Sequence, residues 1–118
     1  MLALVAASSS AAAGGPARLR ITVWPEGREA GVAQVRTLRC DPAGGTLARP
    51  VAACRRLSAL AQPFAPIPPD TACTQIFGGP QEALVTGTFL GRKVWVRFNR
   101  RDGCQTDRWN RHAFLFAA

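Results

Sequence analysis

The residues with the clearest chemical potential in this chain surround Cys73. The segment 72–80 reads Ala-Cys-Thr-Gln-Ile-Phe-Gly-Gly-Pro, with a cysteine near one end and Gly78-Gly79-Pro80 at the other. A covalent link at Cys73 and turn-forming residues at the far end predict an exposed loop held in one conformation. Such a loop can lie in a protease cleft as a substrate does and still resist being consumed.

The four cysteines allow two disulfide bridges. They share no C-x-x-C spacing and stand at Cys40, Cys54, Cys73 and Cys104. Zinc sites usually contain such close ligand pairs, so neither a metal ion nor a cofactor is expected. Sequence alone leaves three possible pairings, and four reduced cysteines in a cytosolic protein are the alternative.

Catalytic machinery is not expected either. His112 is the only histidine, and the serines are Ser58 and the run 8–10. These residues offer no plausible triad, and His112 is expected to be a surface residue. Glu82 with His112 is a conceivable acid–base pair for a small basic ribonuclease, but no motif surrounds it. The sequence therefore predicts a protein that is not an enzyme.

Residues 1–15 have the composition of a leader. The apolar run 2–7 is followed by three serines and then by Ala11-Ala12-Ala13, like the second half of a signal peptide with its A-x-A site. An unstructured Ala/Ser tail is the alternative. The segment is too short to span a membrane, so no membrane partner is expected. Residues 16–118 are predicted to form one domain.

The formal net charge is +8, from fourteen arginines and one lysine against seven acids. Such an excess can indicate nucleic-acid binding. The arginines are nevertheless scattered along the chain rather than gathered in one run; they include Arg18, Arg20, Arg36, Arg39, Arg55, Arg56, Arg92 and Arg97. No specific nucleic-acid partner is therefore expected.

Alternating apolar and polar residues predict the strands of a sheet. The alternation covers 19–24 and 35–40, and two further runs, 82–89 and 92–99, flank Leu90-Gly91 as a hairpin. Another strand is expected at 113–116. An antiparallel sheet of about five strands follows from these patterns.

Helical spacing appears in one long and one short segment. Apolar residues recur at three- and four-residue steps over 50–62, and prolines then require an extended chain over 63–69. A short helix is expected over 107–111. Together with the sheet, these segments predict an α+β fold with one main helix, one short helix and two disulfides.

The hairpin pairing leaves one large aromatic residue outside. Pairing Val85 with Val96 and Ala83 with Phe98 makes one face apolar, and this face should pack under the main helix. The opposite face pairs Thr86 with Trp95. Trp95 can be covered by the C-terminal segment or can contact a partner.

Several motifs together carry a resemblance that covers most of the chain from Leu19 onward. They are Thr37-Leu38-Arg39-Cys40-Asp41-Pro42, Gly45-Thr46, Ala53-Cys54, Leu57, Cys73-Thr74, Phe77, Thr86-Gly87-x-Phe89-x-Gly91-Arg92, Cys104 and Phe114-x-Phe116. In this order, the residues resemble the Streptomyces subtilisin inhibitor family of secreted serine protease inhibitors.

The resemblance implies a disulfide pattern, an assembly and a partner. It pairs Cys40 with Cys54 and Cys73 with Cys104. It implies a homodimer formed by stacking sheets, to which the outward Trp95 is suited. It also implies secretion and a subtilisin-like protease as partner.

The resemblance further places a reactive bond between Gln75 and Ile76. Cys73 and Thr74 precede this bond in the reactive loop, and Phe77 follows it. Gln75 would enter the primary specificity pocket of the protease. A neutral amide suits a subtilisin-like pocket better than a trypsin pocket, whose buried carboxylate requires Arg or Lys.

Three features depart from the family pattern. Leu47-Ala48 replaces a common His-Pro, and the run 77–80 is one residue longer and is expected to be more flexible. Asp102 stands where an Asn commonly supports the loop. A secreted domain that kept the fold but binds without inhibiting is the alternative function.

Overall fold

A four-stranded antiparallel sheet organises the computed structural model, which describes residues 15–116. The strands are β1 (Ala17–Trp24), β2 (Gln34–Cys40), β3 (Glu82–Phe89) and β4 (Arg92–Asn99), and their order across the sheet is β2-β1-β3-β4. A short 3₁₀ turn, Arg28–Ala30, lies in the connection between β1 and β2. The predicted leader falls almost entirely on residues 1–14, which lie outside the described part.

The hairpin of β3 and β4 has the predicted register. Val85 pairs with Val96, Ala83 with Phe98, and Thr86 with Trp95. Both turn residues have positive φ, 52° at Leu90 and 82° at Gly91. This backbone geometry matches the twist of the flanking strands, and it is strained for the non-glycine Leu90.

Within the described residues, three helices accompany the sheet: α1 (Pro50–Ala59), α2 (Gly103–Arg111) and α3 (Ala113–Phe116). The α+β class is confirmed, but the sheet has four strands rather than about five, because the predicted strand at 113–116 is helix α3. Four apolar residues are too few to distinguish the two periods. No helix within 15–116 is long and apolar enough to cross a bilayer.

Two helix boundaries also differ from the sequence prediction. Helix α1 ends at Ala59 rather than 62, and Leu60 is already extended. Helix α2 starts at Gly103, earlier than the predicted 107, because Asp102 caps it. Pro63 explains the first difference, since proline disfavours helix at the residue before it and cannot donate to a preceding turn.

The hydrophobic core lies between the inner face of the sheet and the helices. Helix α1 contributes Ala53, Cys54 and Leu57, and α3 contributes Leu115, which is fully buried. The Cys40–Cys54 disulfide joins the end of β2 to α1, with the two Cα atoms 5.8 Å apart. In a domain of this size such a bridge supplements a modest core.

Candidate functional site

The segment between the proline-rich stretch and β3 is an exposed loop. Residues 71–79 are neither helical nor stranded, and Ile76 and Phe77 are 69% and 65% exposed. Among the described residues, no hydrogen bond is donated by the backbone N–H groups of Cys73, Gln75 and Ile76. Free N–H groups on an extended segment can pair with another chain. The loop thus offers both apolar side chains and backbone groups to a partner.

The N-terminal flank of this loop is attached to the first turn of α2. Cys73 is disulfide-bonded to Cys104, with the Cα atoms 5.3 Å apart. The carbonyl of Thr74 accepts a hydrogen bond of 2.9 Å from the N–H of Gly103. The first N–H groups of a helix have no acceptor within the helix, so they are available to hold this loop. A Cβ at Gly103 would overlap the Thr74 hydroxyl, so the close approach requires glycine.

The C-terminal flank is held by Arg100, which bonds both peptide groups of Gly78. The Gly78 N–H donates to the Arg100 carbonyl at 2.7 Å, and Arg100 Nε donates to the Gly78 carbonyl at 3.0 Å. Arg100 Nη1 also donates to Oδ1 of Asn110 on α2, at 2.9 Å. The segment that the sequence predicts to be flexible is therefore bonded to the end of β4 and, through Arg100, to α2.

Asp102 contributes to this arrangement indirectly. Its side chain is the N-cap of α2, where Oδ1 accepts a 2.9 Å hydrogen bond from the N–H of Gln105. Within residues 15–116 the carboxylate makes no hydrogen bond to the loop. A short carboxylate in the cap position points at the helix amides, which explains the difference from the predicted direct support. The direct contacts come from Arg100 and Gly103 instead.

The Gln75–Ile76 bond lies between these two fixed flanks. Gln75 is exposed, and its Nε2 donates only to the carbonyl of Cys73, at 3.3 Å, within the described structure. Because this bond is internal to the loop, the side chain is free to enter a pocket of another protein. The structure thus brings together the five predicted loop residues, which are Cys73, Thr74, Gln75, Ile76 and Phe77.

A further cluster at the loop resembles a metal site only by geometry. Donor atoms of Cys73, Asp102 and Cys104 all lie within 4.8 Å of one another. The two sulfurs form a disulfide and are not thiolates, which are the form that binds zinc. These residues therefore do not fit a metal ion while the bridge is closed.

The proline-rich stretch that leads into the loop is held by helix α2. The His112 ring lies between two carbonyls, with Nδ1 2.7 Å from that of Arg108 and Nε2 2.5 Å from that of Pro63. Arg108 Nη2 donates to the Ala65 carbonyl at 2.9 Å. The expectation of a surface His112 is wrong, because the residue is only 4% exposed.

Burial determines the protonation of His112. It lowers the pKa of the imidazole below its ordinary value of 6.5, and the charges of Arg108 and Arg111 act in the same direction. Hydrogen bonds with the carbonyls of Arg108 and Pro63 oppose this shift. The ring serves as a structural clamp on the chain entering the loop, and both of its nitrogens face backbone carbonyls.

Trp95 faces outward from β4, as the pairing predicts, and is 60% exposed. The alternative in which the C-terminal segment covers it does not hold for residues 15–116. The Arg97 guanidinium lies 4.9 Å from the centre of the Trp95 ring, a cation–π distance.

Sequence reasoning missed Arg100 and Gly103. Arg100 has no local signature, because Gly78 and Asn110 lie 22 and 10 positions away. The sequence does contain a signal for Gly103. Asp is a common N-cap residue, and a small residue directly after Asp102 leaves the first backbone N–H groups of the helix accessible. Applying that rule would have placed the start of α2 beside Cys104.

These features define a class: a small disulfide-bridged domain that presents a substrate-like loop supported on both flanks. The chain belongs to the subtilisin inhibitor-like family, whose model matches residues 15–100. The resemblance recognised from the sequence motifs is confirmed. The family consists of protease inhibitors rather than enzymes, in agreement with the sequence prediction.

A solved structure supports this assignment. The chain is similar to Streptomyces caespitosus sermetstatin, solved in complex with Bacillus licheniformis subtilisin, with 26% identity and a TM-score of 0.56. The similarity covers 88% of this chain and 100% of sermetstatin. Among curated proteins no significant match was found.

Proposed function

We propose that this protein is a secreted inhibitor of subtilisin-like serine proteases with Gln75–Ile76 as its reactive bond. One observation carries the proposal: this exposed bond lies between two flanks that are each fixed to the scaffold. The Cys73–Cys104 bridge and the Gly103 N–H hold one flank, and Arg100 holds the other. The subtilisin bound in the sermetstatin complex supports the class of target.

The loop would bind by adding its backbone to the edge of the protease cleft. The unpaired N–H groups of Cys73 and Gln75 suit such strand pairing. Because the loop is already ordered in the free protein, binding does not carry the usual entropic cost of ordering it. An interface of standard size, about 1,600 Å², is then sufficient for very high affinity.

Resistance to hydrolysis follows from the same supports. The serine of the protease would attack the carbonyl carbon of Gln75, and the bond to the Ile76 nitrogen would break as that nitrogen takes up a proton. Arg100 at Gly78 and the disulfide at Cys73 would keep the new amine beside the acyl group. The amine can then attack the acyl ester again, re-forming the peptide bond and releasing the serine.

Secretion and the domain boundary are part of the proposal. Two closed disulfides are typical of oxidising compartments outside the cytosol. The family match begins at residue 15, which supports a domain at 16–118 preceded by a leader at 1–15. Mass spectrometry of protein exported from an expressing host would identify the mature N-terminus, and a terminus at Met1 would contradict the leader.

The homodimer with Trp95 on its sheet face remains a prediction. The exposure of Trp95 supports a partner at this face. Sedimentation velocity of wild type and Trp95→Asp provides the test: the dimer prediction requires a dimeric wild type and a monomeric variant. Equal sedimentation of both would contradict it.

The decisive experiment for inhibition is a titration of subtilisin with the oxidised protein, followed by mass spectrometry of the mixture. We expect stoichiometric loss of activity with at most slow cleavage at Gln75–Ile76. The matched variant Gln75→Glu keeps the size of the side chain but adds a charge that is costly to bury in an apolar pocket, so it should inhibit more weakly.

Three results would contradict the proposal. Full protease activity with an intact protein would favour the alternative, a non-inhibitory binding domain. Rapid cleavage at Gln75–Ile76 would show that the loop is a substrate. Equal inhibition by wild type and Gln75→Glu would mean that Gln75 does not enter the primary specificity pocket of the protease.

A further inference from the structure

A cleft lies beside the reactive loop, between the loop and the connection from β1 to β2. Its volume is about 730 Å³, and Phe77 of the loop forms part of its wall. We call it the Trp24 cleft after the half-buried tryptophan that also lines it. Its side chains include Trp24, Glu26, Arg28, Glu29, Phe77 and Glu82. The volume falls in the range of ligand sites, so the cleft can hold a large side chain of another protein.

The Trp24 cleft lies on the leaving-group side of the Gln75–Ile76 bond. Phe77 is the second residue after the bond, and the lining continues to Gly79 and Pro80. Even fully extended, the four residues that follow Ile76 span at most about 14 Å. An interface of about 800 Å² per partner corresponds to a disc of roughly 16 Å radius. A protease bound at this bond is therefore close enough to contact the cleft.

The wall formed by the β1–β2 connection is fixed to β3 and to the end of the loop. The N–H of Arg28 donates to Oε1 of Glu82 at 2.6 Å, and Arg101 Nη2 donates to Oε2 at 2.8 Å. Gly27 has a φ of 91°, and a Cβ there would lie only 3.2 Å from the carbonyl oxygen of Pro80. A wall that is ordered in the free protein can bind without the usual entropic cost of ordering it.

Acidic residues are concentrated at the cleft, although the formal net charge of the chain is +8. Three of the seven acids line it, Glu26, Glu29 and Glu82, against two of the fifteen basic residues, Arg28 and Arg101. Glu82 is paired with Arg101 in the one ion pair found within residues 15–116. Glu26 and Glu29 are both exposed and form no ion pair there. The cleft thus presents two carboxylates that can attract a cation.

The cleft also contains other groups that suit a cationic side chain. The Arg28 guanidinium lies 5.6 Å from the centre of the Trp24 ring, a cation–π distance, and Phe77 adds a second, 65% exposed ring. Oε1 of Gln81 is the one buried side-chain polar atom within residues 15–116 that has no hydrogen-bond partner. Buried acceptors seldom stay unpaired, so this oxygen indicates a place for a donor once the Gln81 side chain rotates toward it.

We propose that the Trp24 cleft is a second contact site for the protease bound at Gln75–Ile76 and takes an arginine or lysine side chain of that enzyme. The cation pairs with Glu26 and Glu29, while its apolar stem packs against the rings of Trp24 and Phe77. The cleft then favours those subtilisin-like proteases that carry a basic residue beside the leaving-group part of their active site. The site depends on the proposed protease inhibition, whose selectivity it would determine.

The cleft is separate from the sheet face that is predicted to form the homodimer. Trp24 pairs with Glu82, whereas Trp95 pairs with Thr86, four residues further along β3. This separation is about 14 Å, so a second copy and a protease can be bound together. A divalent cation would use the carboxylates of the cleft but would leave its two aromatic rings without a role.

The test compares two matched double variants by their inhibition constants against Bacillus licheniformis subtilisin, the enzyme in the sermetstatin complex. Glu26→Gln with Glu29→Gln removes two carboxylates from the cleft, and Asp41→Asn with Asp107→Asn removes two exposed carboxylates elsewhere. The first pair should weaken inhibition on the order of tenfold, and the second by less than about twofold. Raising the salt from about 0.1 to 1 M should reduce the difference, because the Debye length falls from about 10 to 3 Å.

Hydrogen exchange followed by mass spectrometry detects the contact itself. Exchange of 24–31 should slow in the complex together with that of 73–80, while exchange of the exposed turn 41–46 should not change. Trp24→Leu keeps an apolar side chain but removes the cation–π partner, so it should weaken inhibition about 2- to 30-fold. Circular dichroism of each variant verifies that the fold is retained.

Several results would overturn the second contact site, and they differ from a failure of the proposed function. A wild-type protein that does not inhibit would overturn both. Clear inhibition by wild type, with equal weakening by the two double variants or with no slowing at 24–31, would overturn the second contact site alone. Slowing at 24–31 that depends on the concentration of the free protein would assign the cleft to a second copy. Slowing caused by calcium chloride alone would assign it to a divalent cation.

Discussion

At the scale of single residues, Gln75 and Arg100 have different roles in the loop. Gln75 is exposed and touches only its own loop, so the fold does not depend on it. Arg100 is half-buried and joins Gly78 to Asn110. Changes at Gln75 should therefore alter which protease is inhibited, whereas changes at Arg100 should alter whether the loop resists cleavage.

Gln75→Arg should extend inhibition to trypsin-like enzymes. The guanidinium would pair with the carboxylate at the base of their primary pocket, which a glutamine leaves unpaired. We expect at least a 10- to 100-fold gain against trypsin, with an unchanged melting temperature. Inhibition constants measured against trypsin and subtilisin check this, with Gln34→Arg as an exposed control far along the chain. An equal gain in the control would contradict the assignment.

Arg100→Ala should make the loop behave more like a protease substrate than like an inhibitor. The variant loses charge-assisted hydrogen bonds to Gly78 and Asn110, each worth about 1.5 to 3 kcal/mol. We expect inhibition to weaken about 10- to 100-fold and cleavage at Gln75–Ile76 to accelerate. Arg92→Ala, which removes an exposed arginine from the hairpin end of the sheet, is the control. Unchanged cleavage in Arg100→Ala would mean that the disulfide alone holds the loop.

At the scale of elements, the start of α2 and the end of β4 form one platform under the loop. Asp102 caps the helix, Gly103 presents its free N–H to Thr74, and Cys104 carries the disulfide. Consecutive residues thus perform three different tasks because a helix start combines a capping side chain with unpaired amides. The platform is rigid since both elements also contact the core.

Removing the two disulfides separately should distinguish stability from inhibition. Cys73→Ala with Cys104→Ala and Cys40→Ala with Cys54→Ala each open one bridge and should each cost about 3 to 4 kcal/mol in the chain-entropy model. Only the first pair should convert the protein into a substrate, because only that bridge retains the cleaved ends. Subtilisin titration with mass spectrometry, at a temperature where both variants are folded, checks this. Unchanged inhibition by the first pair would refute the mechanism.

At the scale of the whole molecule, His112 links the pH to the free energy of unfolding. Its pKa is lowered in the folded state, so below about pH 6.5 the unfolded chain binds more protons than the folded one. The contribution of the neutral imidazole to the free energy of unfolding is fully present above about pH 6.5. It decreases as the pH falls toward the pKa that His112 has in the folded protein.

Melting temperatures between pH 5 and 8 test this behaviour. Wild type should lose stability on acidification through this window, before most carboxylates titrate. His112→Gln should be less stable at pH 8, because it leaves a carbonyl contact imperfectly satisfied, and should depend less on pH. A pH dependence in His112→Gln as steep as that of wild type would assign the effect to other groups.

Prediction from sequence succeeded where a pattern is local. The hairpin around Leu90-Gly91 was found with its register, because period-two alternation and a two-residue turn determine the pairing. The run 113–116 was mistaken for a strand, since four apolar residues carry no period. His112 was expected at the surface, because its burial depends on carbonyls that include Pro63, 49 positions away.

The sequence by itself determined the α+β class, the family and the position of the exposed loop, because these follow from spacing along the chain. Only the tertiary structure decided that Arg100 and Gly103 hold that loop and that arginines distant in sequence lie side by side on the outer face of the sheet. Both results depend on pairing between residues that are distant in sequence, Gly78 with Arg100 and Arg18 with Arg39. Such contacts exist only once the strands have aligned and the helices have packed against them.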